Sequence, residues 1–487
     1  MANSTSLKAD RKIFSNSLWG IGSNILQNLF LGLFFVILAR QYSTADFAGY
    51  LVANTVYQFI AAFSTMGLGQ WFTREVVHTE DKESLVSTFL KLQFLLGLLF
   101  YVANMAFVLA MYKDPLIRNI SIYVGINIVF DNFIYGLKCL NIAEHKQKKT
   151  FQILLIEASL KLILGCVMIF LPFSIVYMAI FSIIFRFITL NLFIRIGSSD
   201  LLSLRSIVKQ RIRWDDVKKI IFSNWAFVII GSISVIYWRI GNLIISKSLE
   251  AVDIANYEIA FKLFSISQII PVIISSTVFP ILVNYYKKED LPGFRKFFQQ
   301  VFSLYFLFGL ITFTFIYSMA DILLPFAFGE KYTGAIEPTK LMFLTILVFP
   351  TALLQANVLV AMNLEKKDMV LNIVSLLANI CISLVGLQFH KSLTVINLSI
   401  FASFLIFHLL QDIILYRRGM ADWKHIAGFY IFSVAFIATY IFLQRFMHPA
   451  LLFVVVWLVA GFFGFRYMQK HWSADFLPWK KKTVTVE

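Results

Sequence analysis

Apolar runs of roughly fifteen to twenty residues recur along the whole chain, each long enough to cross a hydrocarbon layer of about 30 Å. A bilayer interior offers no partners to backbone N–H and C=O groups, so only helices or closed barrels can span it. Barrel strands alternate apolar and polar residues, and a run such as ILLIEASLKLILGCVMIF, from Ile153 to Phe170, does not. The chain is therefore expected to be an all-α polytopic membrane protein. Its 14% charged residues lie far below the roughly 25% of soluble domains. The 52 Phe suit lipid-facing surfaces, and the 10 Pro leave room for long helices.

The spans are expected at Phe14 to Leu38, Phe47 to Gly67, Ser87 to Met111, Leu116 to Leu140, Phe151 to Leu171 and Ser174 to Ile194. They continue at Ile220 to Ser246, Ala255 to Val283, Phe297 to Ala320, Thr339 to Ala361, Met369 to Phe389 and Thr394 to Tyr416. The last two are His425 to Leu443 and Ala450 to Met468. This gives about 14 transmembrane helices, with twelve as the alternative count.

The loops alternate in charge. The basic set holds Lys8, Arg11 and Lys12; Arg74 and Lys82; Lys146, Lys148 and Lys149; Arg195 through Lys219; Lys287, Lys288, Arg295 and Lys296; Lys366 and Lys367; Arg417, Arg418 and Lys424; and a tail through Lys482. The poor set holds only Arg40, Lys113, Arg118, Lys247, Lys331, Lys340, Lys391 and Arg445. Basic loops stay in the cytoplasm, so both termini are expected there. No cleaved signal peptide is expected after the polar opening MANSTSLKADRK.

The net charge of +16 is explained by these loops, and no nucleic-acid partner is expected. Cys139, Cys166 and Cys381 lie far apart, which suits neither a disulfide framework nor a metal site. The longest outward loop is expected over Asp321 to Pro338. The longest inward connection, Gly197 to Lys219, contains LLSLRSIVKQRIRW from Leu201, either an interfacial helix or a solvated linker.

ARQYSTADFAGY, from Ala39, lies in register with SKSLEAVDIANY, from Ser246. Arg40 matches Lys247, Asp46 matches Asp253, Ala48 matches Ala255 and Tyr50 matches Tyr257. The two hairpins share an orientation, so the repeat is parallel, a known transporter plan. The expected organisation is an N-lobe over 1–196, a basic linker over 197–219, a C-lobe over 220–418, and two further helices with a basic tail over 419–487. Each lobe holds six spans.

A charge at mid-bilayer is costly, so each one marks a candidate site. The candidates are Asp131, Glu157, Lys161, Arg186, Arg239, Glu258 and Lys262. Glu157 and Lys161 are spaced to neutralise each other on one helix, as are Glu258 and Lys262, and Asp131 could pair with Arg186 as a strut. Arg239 has no acidic residue within a helical turn. It calls for water, a partner helix or an anionic ligand, or it snorkels to the outer interface. Asn24, Gln27, Asn28, Asn54, Tyr57 and Gln58 add neutral polarity to the first two spans. Helices with these residues could enclose a cationic polar cavity suited to an anionic, hydroxyl-rich substrate. Pro271, Pro280 and Pro350 are expected to kink their spans.

No G-x-x-x-x-G-K-[ST] loop, H-E-x-x-H or Cys/His metal spacing appears. The outward loops are too short to house catalytic acids. The expectation is transport without enzymatic activity and without cofactor or metal.

Several segments carry a family resemblance. They are the opening N-x-x-W at Asn16 to Trp19, ILARQYSTADFAGY with Arg40, Asp46, Phe47 and Tyr50, GLGQWFTREVV from Gly67 with Arg74, and ILLPFAFGEKYTGA from Ile322 with Gly329 and Tyr332. Together they resemble Wzx-type polysaccharide (O-antigen) flippases of the multidrug/oligosaccharidyl-lipid/polysaccharide (MOP) exporter superfamily. The resemblance implies two six-helix lobes with spans 1, 2, 7 and 8 lining a cavity. It implies translocation of an undecaprenyl-diphosphate-linked oligosaccharide by alternating access. It also brings membrane lipids, a polysaccharide polymerase and chain-length machinery as partners. On that basis Arg239 and Lys262 lead the anion contacts, then Arg74, Lys161 and Arg186, with Asn24, Gln27 and Asn28 on the sugar side. The alternatives are a peptidoglycan lipid-precursor flippase, a drug/cation antiporter of the same superfamily and, from another class, a membrane glycan polymerase or ligase.

Overall fold

The structure is a computed structural model describing residues 2–197, 199–212, 214–223 and 225–471. The expected basic tail beyond His471, and the side chains of Lys8, Arg11, Lys12, Asn16 and Trp19, lie outside the described residues. The helices are α1 (Ala2–Gln41), α2 (Thr44–Ser64), α3 (Gly69–His78), α4 (Lys82–Met111), α5 (Pro115–Gly125), α6 (Asn127–Ala143) and α7 (Gln147–Phe170). They continue with α8 (Val176–Arg195), α9 (Leu204–Lys209), α10 (Trp214–Ser223), α11 (Trp225–Ser248), α12 (Ala251–Ser267), α13 (Ile269–Lys287) and α14 (Leu291–Phe328). The last are α15 (Ile336–Met342), α16 (Phe349–Ala361), α17 (Glu365–Phe389), α18 (Leu393–Arg417), α19 (Trp423–Leu443) and α20 (Pro449–His471). Two 3-10 segments cover Glu330–Ala335 and Phe343–Leu347, and no strand occurs among the described residues. The all-α membrane architecture read from the sequence is what the chain adopts.

Among the described residues, eleven segments are long and apolar enough to cross a bilayer. Helices α2, α11 and α20 occupy the other three stretches where the sequence places spans. Helix ends follow local chemistry. Asp114 accepts from the Leu116 N–H at 2.7 Å with Pro115 next to it, a capped start where Pro loses no hydrogen bond. Ser43 accepts from the Asp46 N–H at 3.1 Å and donates its hydroxyl to the Asp46 carboxylate at 2.7 Å.

Two sequence expectations need correction, those for the outward loop and the inward connection. Pro271 and Pro350 lie where their spans are interrupted. The chain breaks just ahead of them, at Gln268 and Val348, and each Pro sits in a new first turn that needs no N–H from it. Pro280 does lie inside α13. The outward loop over Asp321 to Pro338 is mostly helical, because apolar Ile322 to Phe328 extends α14. Gly329, at φ +96°, ends that helix in a conformation glycine adopts freely. The inward connection forms two short helices, α9 and α10, in place of one. In α9, Ile207 joins the core while Leu204 and Val208 face outward. Lys91 on α4 donates to the Val208 and Gln210 carbonyls at 2.8 and 2.7 Å, capping the end of α9.

The chain divides into two compact units. The first comprises Met1–Lys262, Ala327–Ala335 and Ile380–Ile396. Its core centres on Phe72, Phe89, Leu90, Ile134, Leu137 and Phe193. Here α4 and α6 meet at Gly97, where a Cβ would stand 2.8 Å from Val129 Cα. Such close approach through small residues is how helices associate in lipid. The second unit comprises Leu263–Phe326, Ile336–Asn379 and Asn397–Glu487. Its core includes Leu282, Phe294, Val301, Leu354, Val358 and Leu415. Phe170 and Phe389 project outward, as lipid-facing aromatics do.

Candidate functional site

Two charged networks form within the first unit, on helices that α2 and α7 hold together. Helix α7 packs along α1, with Gly165 against the Phe34 ring, and α11 packs along α2, where the Ser232 hydroxyl donates to the Ala62 carbonyl at 2.8 Å.

The first network centres on Glu157, in the middle of α7. Its carboxylate accepts from Lys161 Nζ at 2.6 Å, Arg186 Nη1 at 3.0 Å and Thr189 Oγ1 at 3.0 Å. Lys161 lies one turn on along α7. Arg186 and Thr189 come from α8, one turn apart on one face. Arg186 reaches further, placing Nε 2.9 Å from Asp131 Oδ1 on α6. The Tyr57 hydroxyl of α2 donates to the other oxygen of Asp131. Both carboxylates thus share one guanidinium, whose planar fork suits two acceptors at once.

The second network lies on α11 and α12. Arg239 Nη1 stands 2.8 Å from Glu258 Oε1, and Asn242 donates its amide to the same oxygen. That amide also lies 3.1 Å from Thr55 Oγ1, tying α11 to α2. The Arg239 guanidinium sits 5.1 Å from the Phe261 ring centroid, and Lys262 Nζ sits 5.7 Å from that of Phe35. Both are cation–π distances. Lys262 lies within electrostatic range of Glu258, Arg239 and Lys161, which links the two networks.

The expected pairs Glu157–Lys161 and Asp131–Arg186 both form. Arg239, with no acidic residue within a helical turn, finds one on a partner helix: Glu258 reaches it across the hairpin between α11 and α12, a pairing that spacing along one helix cannot reveal. Glu258 and Lys262, spaced to pair on one helix, lie within electrostatic range of each other, and Glu258 Oε1 also receives Arg239 and Asn242. Arg74 is exposed on α3 and makes none of these contacts. Asn28 donates to the Asn24 carbonyl at 2.9 Å and side-chain oxygen at 2.7 Å, so these two pair with each other on α1. Gln27 is half-buried beside them.

The sequence reading missed Lys138. It stands two turns beyond Asp131 on α6, within range of Asp131, Glu157 and Arg186, and makes no ion pair among the described residues. Its seven-residue offset from Asp131 puts both on one helical face, a signal obscured by its place near the expected span end. Thr189 and Asn242 were also missed, and each sits one turn from a named arginine.

The charge balance is uneven. Lys138, Lys161, Arg186, Arg239 and Lys262 oppose Asp131, Glu157 and Glu258, which leaves two positive charges in excess. The side chains are not sealed off: Arg186, Asp131, Lys161 and Arg239 remain 22%, 23%, 21% and 18% exposed. Exposed charge at mid-helix depth must meet water or lipid, and such residues face interiors or water-filled cavities. The arrangement can therefore offer N–H donors to an anion. It offers no nucleophile–base pair of the kind that covalent catalysis uses.

Residues 37–337 match a family model described as polysaccharide biosynthesis protein. No curated protein matches the sequence. Among solved structures, the lipid II flippase MurJ in an inward closed conformation superposes with a TM-score of 0.73 at 14% identity, over 93% of this chain and 99% of its own. A multidrug resistance MATE family transporter of the MOP superfamily, inward-facing, gives 0.66 at 11% identity over 80% and 95%. A MOP superfamily transporter from Pyrococcus furiosus, whose binding pocket of reverse polarity suggests a different function, gives 0.56 at 10% identity over 83% and 95%. These structural relatives are transporters and a flippase, not enzymes. The chain belongs to the polysaccharide biosynthesis protein family, and its fold is that of the MOP superfamily transporters.

Proposed function

We propose that this chain is a flippase for an undecaprenyl-diphosphate-linked oligosaccharide, the repeat unit of an O-antigen, capsule or exopolysaccharide. It carries the substrate across the bacterial cytoplasmic membrane by alternating access. The observation that carries this reading is the partly exposed ion network at mid-helix depth with two cations in excess. A diphosphate is an anion with many acceptor oxygens, and guanidinium and ammonium groups are its natural donors. The membership in a polysaccharide biosynthesis family supports a glycan as the attached group. Arg239 and Lys262 lead the anion contacts, Lys138, Lys161 and Arg186 extend them, and Asn24, Gln27 and Asn28 serve the sugar. Arg74 is a weaker contact.

The proposal includes fourteen spans, both termini in the cytoplasm, and two six-helix lobes over 1–196 and 220–418 joined by the linker 197–219. The last two helices and tail, 419–487, lie outside the lobes. A polysaccharide polymerase and chain-length machinery are the proposed downstream partners. The superposition with a lipid II flippase favours one second reading, a peptidoglycan lipid-precursor flippase, which would use the same cationic site.

The test is leaflet-resolved measurement of lipid-linked glycan in cells whose sole copy carries Arg239→Gln and Lys262→Gln, with protein abundance measured alongside. The expected result is complete lipid-linked units stranded on the inner leaflet at normal protein level. Unimpaired export would overturn the site. Exported but unjoined units would point to a polymerase. Stranding of the peptidoglycan precursor would select the second reading.

A further inference from the structure

The second unit carries a basic pocket that the proposed flipping reaction does not use. It lies between the first two turns of α14 and the turn after α18. Leu291, Pro292, Arg295, Lys296 and Gln299 form one wall, and Arg418, Gly419 and Met420 the other. Its volume is about 430 Å³, within the roughly 300–1,000 Å³ of small-molecule sites.

The local chemistry explains why the pocket exists. Gly419 has φ +69°, a conformation that a side chain would strain, and it turns the chain back so that the Met420 N–H reaches the Leu415 carbonyl at 2.9 Å. Met420 and Leu415 are buried with Phe294 and Phe298 in the core of this unit. The floor is therefore fixed and apolar while the rim is cationic. Asp422 engages Arg295, and Asp290 accepts from the Gly293 N–H at 2.9 Å. Three cations line the pocket and one is matched, so Lys296 and Arg418 supply excess charge.

Depth is marked by aromatic residues close in sequence. Tyr416 and Trp423 flank the Arg418 turn and are 53% and 65% exposed, and Leu291 at the mouth is 48% exposed. Exposed Trp and Tyr at helix ends gather at the headgroup level of a bilayer. A pocket with an apolar floor, a cationic rim and an interfacial aromatic pair fits a phosphate-bearing group attached to acyl chains. We propose that this pocket binds the headgroup of an anionic phospholipid in the adjacent leaflet, Lys296 and Arg418 holding the phosphate and Gln299 a headgroup hydroxyl. By the charge of the neighbouring loops that leaflet is the cytoplasmic one. The inference stands apart from the proposed substrate, because no residue of the first unit contributes to it.

The experiment uses purified full-length protein reconstituted in nanodiscs. Retained lipid is read by native mass spectrometry, and thermal stability is measured with phosphatidylglycerol, phosphatidylcholine or inorganic phosphate. The expected result is preferential retention of, and stabilisation by, phosphatidylglycerol. In Lys296→Gln/Arg418→Gln that preference falls by roughly fivefold per cation removed, the effect of about 1 kcal/mol per interfacial Lys or Arg. Lys296→Arg/Arg418→Lys should retain it, which separates charge from fold. Undiminished preference in the Gln double variant overturns the proposal. So does equal protection by phosphatidylcholine, or protection by inorganic phosphate alone, which would assign the pocket to a soluble anion.

Discussion

Replacing Glu157 by glutamine removes one charge and keeps the shape of the side chain. The native carboxylate is only 4% exposed and accepts three hydrogen bonds, two of them from cations. Hydrogen bonds to charged groups contribute about 1.5–3 kcal/mol each, so a simple sum would exceed the whole effect. Glutamine keeps one acceptor oxygen, Arg186 keeps Asp131, and Lys161 and Arg186 are about one-fifth exposed, which lets water take part of the load. The loss should be about 2–4 kcal/mol, at or below the roughly 3–5 kcal/mol for breaking a fully buried pair. A double-mutant cycle with Arg186→Gln isolates the pair itself. SDS titration in mixed micelles, followed by circular dichroism, should give a coupling of about 1.5–2.5 kcal/mol, within the range for groups in one network. Additivity to within about 0.5 kcal/mol would refute the reasoning, because it would mean that Glu157 and Arg186 do not act on each other.

Gly97→Ala should lower stability by about 1–3 kcal/mol through overpacking against Val129. Gly428→Ala, with nothing within 4 Å, should leave melting unchanged or raise it. An apolar maleimide should label Cys166 and Cys381 in the native protein in detergent, and buried Cys139 only after denaturation; mass spectrometry reads the difference. In a cysteine-free background, single cysteines at Lys113 and Lys146 should be labelled from opposite sides of the membrane, and labelling from one side would break the proposed topology. Arg239→Gln should reduce export with little change in folded yield, since Glu258 keeps Asn242, whereas Arg186→Gln should reduce both, since it removes the one guanidinium that Asp131 and Glu157 share.

What the sequence disclosed follows the range of the interactions. Apolar windows place the long helices because burial in lipid is a property of a contiguous segment. The pair Glu157–Lys161 was legible because i,i+4 residues share a face. Arg239 and Glu258 are 19 residues apart, and only the hairpin brings them together, so Arg239 read as unpaired. Gly329 and the breaks before Pro271 and Pro350 had signals in the sequence, a glycine at a helix end and a proline within each span. The break at Ile126 has no proline nearby, and no local rule foretold it.

The acids in these networks bear on mechanism as much as on folding. Five cations without counter-charges would make the first unit expensive to insert, since a mid-bilayer charge costs several kcal/mol unless it is paired or hydrated. Asp131, Glu157 and Glu258 reduce that cost, yet in the function proposed above each competes with the anionic substrate for the same N–H donors. An anion that enters must therefore gain more than the carboxylate it displaces. A neutral or monovalent ligand has little to offer against a charge-assisted pair at 2.8 Å, whereas a diphosphate brings more charge and more acceptor oxygens. In the proposed function, pairing thus sets a threshold for selectivity. The same pairing favours release there, because the carboxylates compete for the cations as the anion leaves and return the empty site to a state that the membrane tolerates.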